Sequence, residues 1–212
     1  MAGYISSSSG YDGGAGTSIS LAITKDASAT AFIIKVHLLA GSGTPTLSSP
    51  AYSGGGTLSL VDYDANGIAA IYVYKVMSPT GNGNFTATIS TSSRWEVGCT
   101  QLSACYAISP KVNKGNGSGT STGAASAIVL TGEIALDCMT MTYNDGGGLA
   151  CTAGWTDILK ASRYTTITSY DIYHATVGTQ SNDFSWTGTE NWARVQIVAQ
   201  TYGGGNVIIW SS

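Results

Sequence analysis

Between Gly54 and Thr91 the chain reads GGGTLSLVDYDANGIAAIYVYKVMSPTGNGNFTATIST. Three runs of strand-like composition are separated there by two turn signals, Asp64-Ala65-Asn66-Gly67 and Ser78-Pro79-Thr80-Gly81-Asn82-Gly83. In the third run Phe85, Ala87 and Ile89 share one face, while Thr86, Thr88 and Ser90 share the other. A period of two belongs to a strand with one buried and one wet surface. Asn-Gly favours a primed hairpin turn, because both residues tolerate positive φ. A chain built around this stretch is expected to be an antiparallel β protein.

Composition sharpens that expectation. Charged residues make up 10% of the 212 positions, and Gly alone contributes 28. Disorder would explain the glycine but not the 12 Tyr and 5 Trp, since disordered segments avoid aromatic and β-branched residues. The reading is an all-β, jelly-roll-like antiparallel β-sandwich with long Gly/Ser-rich loops. Residues 1–17 are expected to form a flexible or extended arm, and residues 18–212 a single β-sandwich domain. A net charge of -3 with nine basic residues argues against a nucleic-acid footprint. No run approaches 18 apolar residues, so no membrane helix is expected. The opening MAGYISSSSGYDGG has neither the basic region nor the apolar core of a signal peptide, which predicts synthesis in the cytoplasm.

Alternation continues along the chain. Ile19, Leu21 and Ile23 mark one strand, and Phe32, Ile34, Val36 and Leu38 mark the next, with Lys35 and His37 on its other face. Phase places Phe32, Ile34, Val36, Leu58, Leu60, Ile71, Val73, Phe85, Ala87, Ile89, Val195 and Ile197 inward. Trp95 to Ile108 reads as a strand ended by Pro110, because proline cannot donate to a central ladder. Residues 111–126 read as a long surface loop, with a linker between two domains as the lesser alternative. Trp155 to Ser162 reads as a short helix, and 181–191 as a loop. The terminal run Val207 to Trp210 is expected to be paired in a sheet. Four cysteines allow three complete pairings; Cys138 and Cys151 flank a turn at Asn144 to Gly148, yet free buried thiols are favoured.

Several segments resemble a jelly-roll, lectin-like β-sandwich family found in bacteriophage virion proteins and some secreted bacterial proteins. They are Ile33-Ile34-Lys35-Val36-His37, then Ser53-Gly54-Gly55-Gly56-Thr57-Leu58-Ser59-Leu60-Val61, then Ile71 to Gly81, and Phe184-Ser185-Trp186-Thr187. Tyr72 and Tyr74 stand where that family carries a Trp. The resemblance implies a non-enzymatic virion protein made in the host cytoplasm, foremost a capsid decoration or cement protein of a tailed phage. Its implied partner is the major capsid protein, and its implied state a homotrimer. The alternative it implies is a carbohydrate- or receptor-binding module of a tail fibre or baseplate.

The residues themselves give no catalytic constellation. His37 and His174 read as surface or half-buried strand residues, no GxSxG elbow is present, and no spacing selects a carboxylate pair from Glu96, Glu133 and Glu190. No cofactor is expected. Asp62, Asp64 and Asn66, followed by Gly67, match the opening of a calcium loop, but the twelfth position is Val73 where a bidentate Glu belongs. A polar hairpin turn is the stronger reading. The aromatic residues Tyr52, Tyr63, Tyr106, Trp155, Tyr164, Tyr170, Tyr173 and Trp186 fall near predicted loops and strand ends. Tyr52, Tyr63, Tyr106, Trp155, Tyr173 and Trp186 are the candidates for an interface or for stacking on sugar rings.

Overall fold

The computed structural model describes residues 4–11, 15–142, 148–163 and 167–202. Among them the chain forms strands and no helix. In order these are β1 (Tyr4–Tyr11), β2 (Gly16–Ile23), β3 (Ala29–Ala40), β4 (Leu47–Tyr52), β5 (Thr57–Asn66), β6 (Ala69–Met77) and β7 (Gly83–Ser103). There follow β8 (Cys105–Ser121), β9 (Ala125–Val129), β10 (Glu133–Thr142), β11 (Thr156–Arg163), β12 (Ile167–His174), β13 (Gly178–Asn182) and β14 (Ser185–Thr201). Two large antiparallel sheets pack face to face as a sandwich. One has the order β1-β7-β3-β6-β5, with β2 and β4 joined to β7; the other has the order β11-β12-β10-β14-β8.

Both sheets carry the same wiring. Read from its first strand, the first half runs β1-β7-β3-β6-β5, and the second runs β8-β14-β10-β12-β11. In the first half the opening stretch of β7 pairs with β2, and in the second half β13, just before β14, pairs with β9. The β4–β7 pairing also has a remnant, the isolated bridge Ala150–Ser185. Asn84-Phe85-Thr86 matches Asp183-Phe184-Ser185, and Trp95 matches Trp192. No ladder among the described residues joins a strand of one half to a strand of the other. Part of the contact between halves is reciprocal: β3 lies on β10, β6 meets β10 as β12 meets β3, and β6 meets β14 as β12 meets β7, whereas β5 packs on β14 and β8 with no counterpart of similar extent. That reciprocity is the signature of an approximate two-fold axis.

Three large apolar clusters follow from this arrangement. The first lies between the β1-β7-β3-β6 face and the flap of β2, β4 and the start of β7, and is built from Ile19, Leu21, Phe32, Ile34, Val36, Phe85, Ala87 and Val97. The third is its counterpart in the second half, with Val129, Met139, Tyr170, Phe184, Trp186 and Trp192. Between the two halves lies the second, with Ile33, Ile71, Val73, Leu102, Leu136, Val195 and Ile197. Each fully buried aromatic or aliphatic side chain contributes about 1.5–3 kcal/mol relative to exposure.

Because β3 has a cluster on each face, eleven of its twelve residues are buried, Lys35 and His37 among them. The expected wet face of this strand is the face between the halves. Of the positions expected inward, Leu58 is half-buried and Leu60 is 46% exposed. Leu58 and Leu60 keep one phase, opposite Val76 and Tyr74, and the bulge that follows places Val61 and then Asp62 on the face between the halves.

Residues 4–11 of the expected flexible or extended arm lie extended as an edge strand on β7, and strand β2 begins at Gly16. Three other expectations are corrected. The stretch 111–121 of the expected loop continues β8, laddered to β14; Pro110 is accommodated because β8 is an edge strand with a register shift beside it. Residues 156–163 are strand β11, not helix; a bulge between Asp157 and Leu159 breaks the alternation that would have marked it. The loop expected at 181–191 is the end of β13 and the start of β14. The turn at Asn144 to Gly147 and the run Val207 to Trp210 lie outside the described residues.

All four thiols are free. Cys138 faces the cluster between the halves and Cys151 borders the outer cluster of the second half, so sheet backbone separates them. The halves are linked at Ala104, which has φ +48°. A left-handed conformation costs an L-residue roughly 1–2 kcal/mol. Ala104→Gly is therefore expected to raise stability by about 0.5–1 kcal/mol after the added freedom of the unfolded chain is subtracted. A higher urea midpoint at unchanged slope is the expected result; a lower midpoint would show that the methyl group packs.

Candidate functional site

The suspected calcium ligands lie on β5 after its bulge. Side chains two apart on one strand face are separated by about 6.5 Å along it. They reach the edge strand β8 of the other half. Lys114 Nζ donates to Asp62 Oδ1 at 3.1 Å, Asn116 Nδ2 donates to Asp64 Oδ1 at 2.6 Å, and Asn66 Nδ2 donates to the Gly117 carbonyl. Three polar rungs thus close the seam between β5 and β8. Among the described residues no group of acidic, His or Cys side chains is arranged to hold a metal.

The aromatic candidates divide by burial. Trp155 and Trp186 sit in the outer cluster of the second half, and their indole N–H groups donate to the carbonyls of Ser181 (3.1 Å) and Gly119 (3.0 Å). Tyr170 is buried beside them, its hydroxyl donating to Asp157 at 2.7 Å. These are core residues, and truncating either Trp would open a cavity before it reported on any ligand. Tyr52 packs edge-on against Phe32 and donates to the Gly81 carbonyl at 2.7 Å. Tyr173 is half-buried against the cluster between the halves. Tyr63 and Tyr106 remain exposed. Tyr63 stacks on Tyr72 at 5.3 Å under the Lys114 ammonium, and Tyr106 lies 4.6 Å from Tyr202. Tyr164 lies outside the described residues.

A cleft of about 310 Å³ opens between the loop after β8 and strand β14, lined by Lys114, Thr122, Ser126, Trp192 and Arg194. Its floor is a built polar hub. Arg194 Nε donates to Asp137 Oδ1 at 2.8 Å and Nη2 donates to Asp137 Oδ2 and to the Asn182 carbonyl. Its Nη1 donates to Thr122 Oγ1 (3.2 Å) and the Gly123 carbonyl (3.0 Å). All five guanidinium donors are engaged, so Arg194 anchors the loop and is not poised for an anion. Asn182 and Gln196 add further donors to Asp137.

A second polar cluster lies between the halves. Lys35 Nζ is 3.0 Å from Asp171 Oδ2 and donates to Thr100 Oγ1 at 2.8 Å. His37 Nε2 lies 3.3 Å from Asp171 Oδ1, and its Nδ1 lies 2.7 Å from Thr140 Oγ1. Burial alone would raise the Asp171 carboxyl, but the Lys35 ammonium and then His37 hold it down at about 2. Burial would likewise lower Lys35, and Asp171 overrides it. Hydroxyl, imidazole and carboxylate here stand in the order of a hydrolytic relay, yet His37, Thr140 and Asp171 are wholly buried and no substrate reaches them. The expectation of a surface or half-buried His37 is corrected by this burial. His174 is half-buried against Trp155, which lowers its pKa, and its Nδ1 accepts from the Thr176 N–H.

Exposed apolar side chains gather at the β9–β13 strand pair, where Ile128, Leu130 and Val177 are 59%, 56% and 56% exposed. The equivalent outer face of the first half presents Ser20, Thr86 and Thr88. Comparison with protein-family models, with curated proteins and with solved structures finds no match.

Proposed function

We propose that the chain is a non-enzymatic structural protein of a tailed-phage virion, a head decoration or cement protein seated on the major capsid protein as a homotrimer. The observation that carries this reading is the contrast between the two outward faces. One is covered by Ser and Thr, and the other concentrates Ile128, Leu130 and Val177 at the paired strands β9 and β13. An apolar patch on an otherwise polar, charge-poor surface suits a permanent protein contact. The strand order supports the jelly-roll reading. With β7 counted as two strands, β1-β7-β3-β6 over β2-β7-β4 follows the strand order of a jelly-roll's two sheets, except that β5 stays with β6 in the first. Each half then reads as one such unit, the second in reduced form.

Cryo-electron microscopy of the particle is the decisive experiment, with density expected on the head lattice. Density at the tail tip, or none, rejects the assignment. Sedimentation equilibrium is expected to give three chains per particle for the free protein, and Ile128→Ser with Leu130→Ser is expected to abolish capsid binding while the fold persists. The carbohydrate-binding alternative has its own location, the 310 Å³ cleft beside Trp192. Saturable glycan binding that is lost on enlarging Ser126 would favour it.

A further inference from the structure

We propose that Lys35 and Asp171 condense, without another protein, to an isopeptide bond that joins the two halves of the chain covalently. Lys35 lies on β3 and Asp171 on β12, in opposite halves, with the nitrogen and a carboxyl oxygen 3.0 Å apart and both side chains at 0% exposure. The packing does not need this pair. Trp95 lies opposite Leu38, and Trp192 opposite Met141. Counting from these pairs, the position equivalent to Lys35 is Cys138. Val73 is the equivalent of Asp171, from Ile71 opposite His37 and Ser169 opposite Thr140. The positions equivalent across the approximate two-fold, Cys138 and Val73, carry no ion pair and lie in the same buried cluster.

The chemistry balances with nothing added. The Nζ–Cγ bond forms, a Cγ–O bond of Asp171 breaks, and ammonium plus carboxylate together contain the amide and one water. The resting pair is charged, each partner holding the other so against burial; the form that reacts is the minor one in which a proton has passed from Lys35 to Asp171, leaving a neutral amine and a neutral acid. The amine attacks Cγ, and one of its protons must pass to the departing hydroxyl. His37 is placed for that transfer, with Nε2 at 3.3 Å and 3.4 Å from the two carboxyl oxygens and Thr140 fixing the ring from behind. Glu96, buried and opposite His37 in the β3–β7 ladder, sets a second carboxyl on the same face. Groups held this closely react with effective molarities on the order of 10⁵–10⁸ M when aligned. The released water has a way out. A cavity of about 50 Å³, bounded by Ser7, Ser9, Gly98, Ile158 and Leu159, reaches Lys35. That exceeds the roughly 10–15 Å³ one water requires.

Intact-mass spectrometry of the purified full-length protein tests the bond directly. The expected mass is one water below that of the sequence, with removal of the initiator Met taken into account. Trypsin is expected to leave Lys35 uncut and to release a branched peptide joining residues 26–75 to residues 164–194. Lys35→Arg and Asp171→Ala are expected to restore the full mass, and His37→Gln to slow the loss at least tenfold on refolding. Should those variants fail to fold, the wild-type digest alone decides. A free 26–35 peptide with the full intact mass overturns the proposal, and so does a water loss mapped to any other site.

Discussion

Arg194→Met is expected to destabilise the protein by about 3–5 kcal/mol, a large share of the roughly 5–15 kcal/mol that holds a domain folded. The cost comes less from the lost hydrogen bonds than from what they leave behind. Asp137 is wholly buried, and without the guanidinium it keeps only the Asn182 and Gln196 amides as side-chain donors. The Thr122–Gly123 loop loses its anchor at the same time. Adding Asp137→Leu should recover part of the stability, because the buried charge is then gone. Recovery should stay incomplete, since Asn182 and Gln196 lose their acceptor. Urea unfolding of the two single variants and the double variant checks this as a thermodynamic cycle. A single-variant cost under about 1 kcal/mol would mean that water reaches Asp137 and that the hub is not closed.

Neither half is expected to fold alone. A fragment of residues 1–103 would expose Ile33, Ile71, Val73 and Leu102 on one face of its sheet, and the complementary fragment would expose Leu136, Val195 and Ile197. Both should be aggregated or largely unfolded when expressed singly. Expressed together they should copurify one to one, because no ladder crosses between them and the reciprocal contacts need no chain continuity. Circular dichroism and size-exclusion chromatography of each fragment and of the pair give the answer. A monomeric, cooperatively melting 1–103 fragment would show that the contact between halves is dispensable for folding.

The all-β architecture was legible wherever a strand has one wet face. Phe85, Ala87 and Ile89 alternate with Thr86, Thr88 and Ser90, and burial follows that alternation. It was not legible where both faces are covered. Lys35 and His37 look like a solvent face because charge normally marks one, and only a tertiary contact with Asp171 makes their burial tolerable. Bulges hid more. One extra residue between Leu60 and Asp62 turned Asp62 toward β8, and another at Asp157–Leu159 gave a strand the look of a helix. The duplication escaped notice because few side chains mark it. Phe85 and Trp95 correspond to Phe184 and Trp192, but the spacing between them is shorter in the second half, so no fixed period survives. The hub around Arg194 joins residues far apart in the chain and has no local signal at all.

The single crossing at Ala104 has a consequence for synthesis. Every ladder of β1 to β7 can close once Ser103 has left the ribosome, while the face that awaits β10, β12 and β14 stays bare. At about 5–20 residues per second, the remaining hundred or so residues take roughly 5–20 seconds to arrive. During that interval neighbouring nascent chains on one message carry the same apolar face and are positioned to pair with each other. Lys35 discourages the error. Between two first halves, the residue standing where Asp171 belongs would be Val73, and each pairing would bury two ammonium groups without the carboxylate that pairs with Lys35. Only the chain's own later strands bring the carboxylate, so the buried lysine guards the nascent first half against its copies until its proper second half is made.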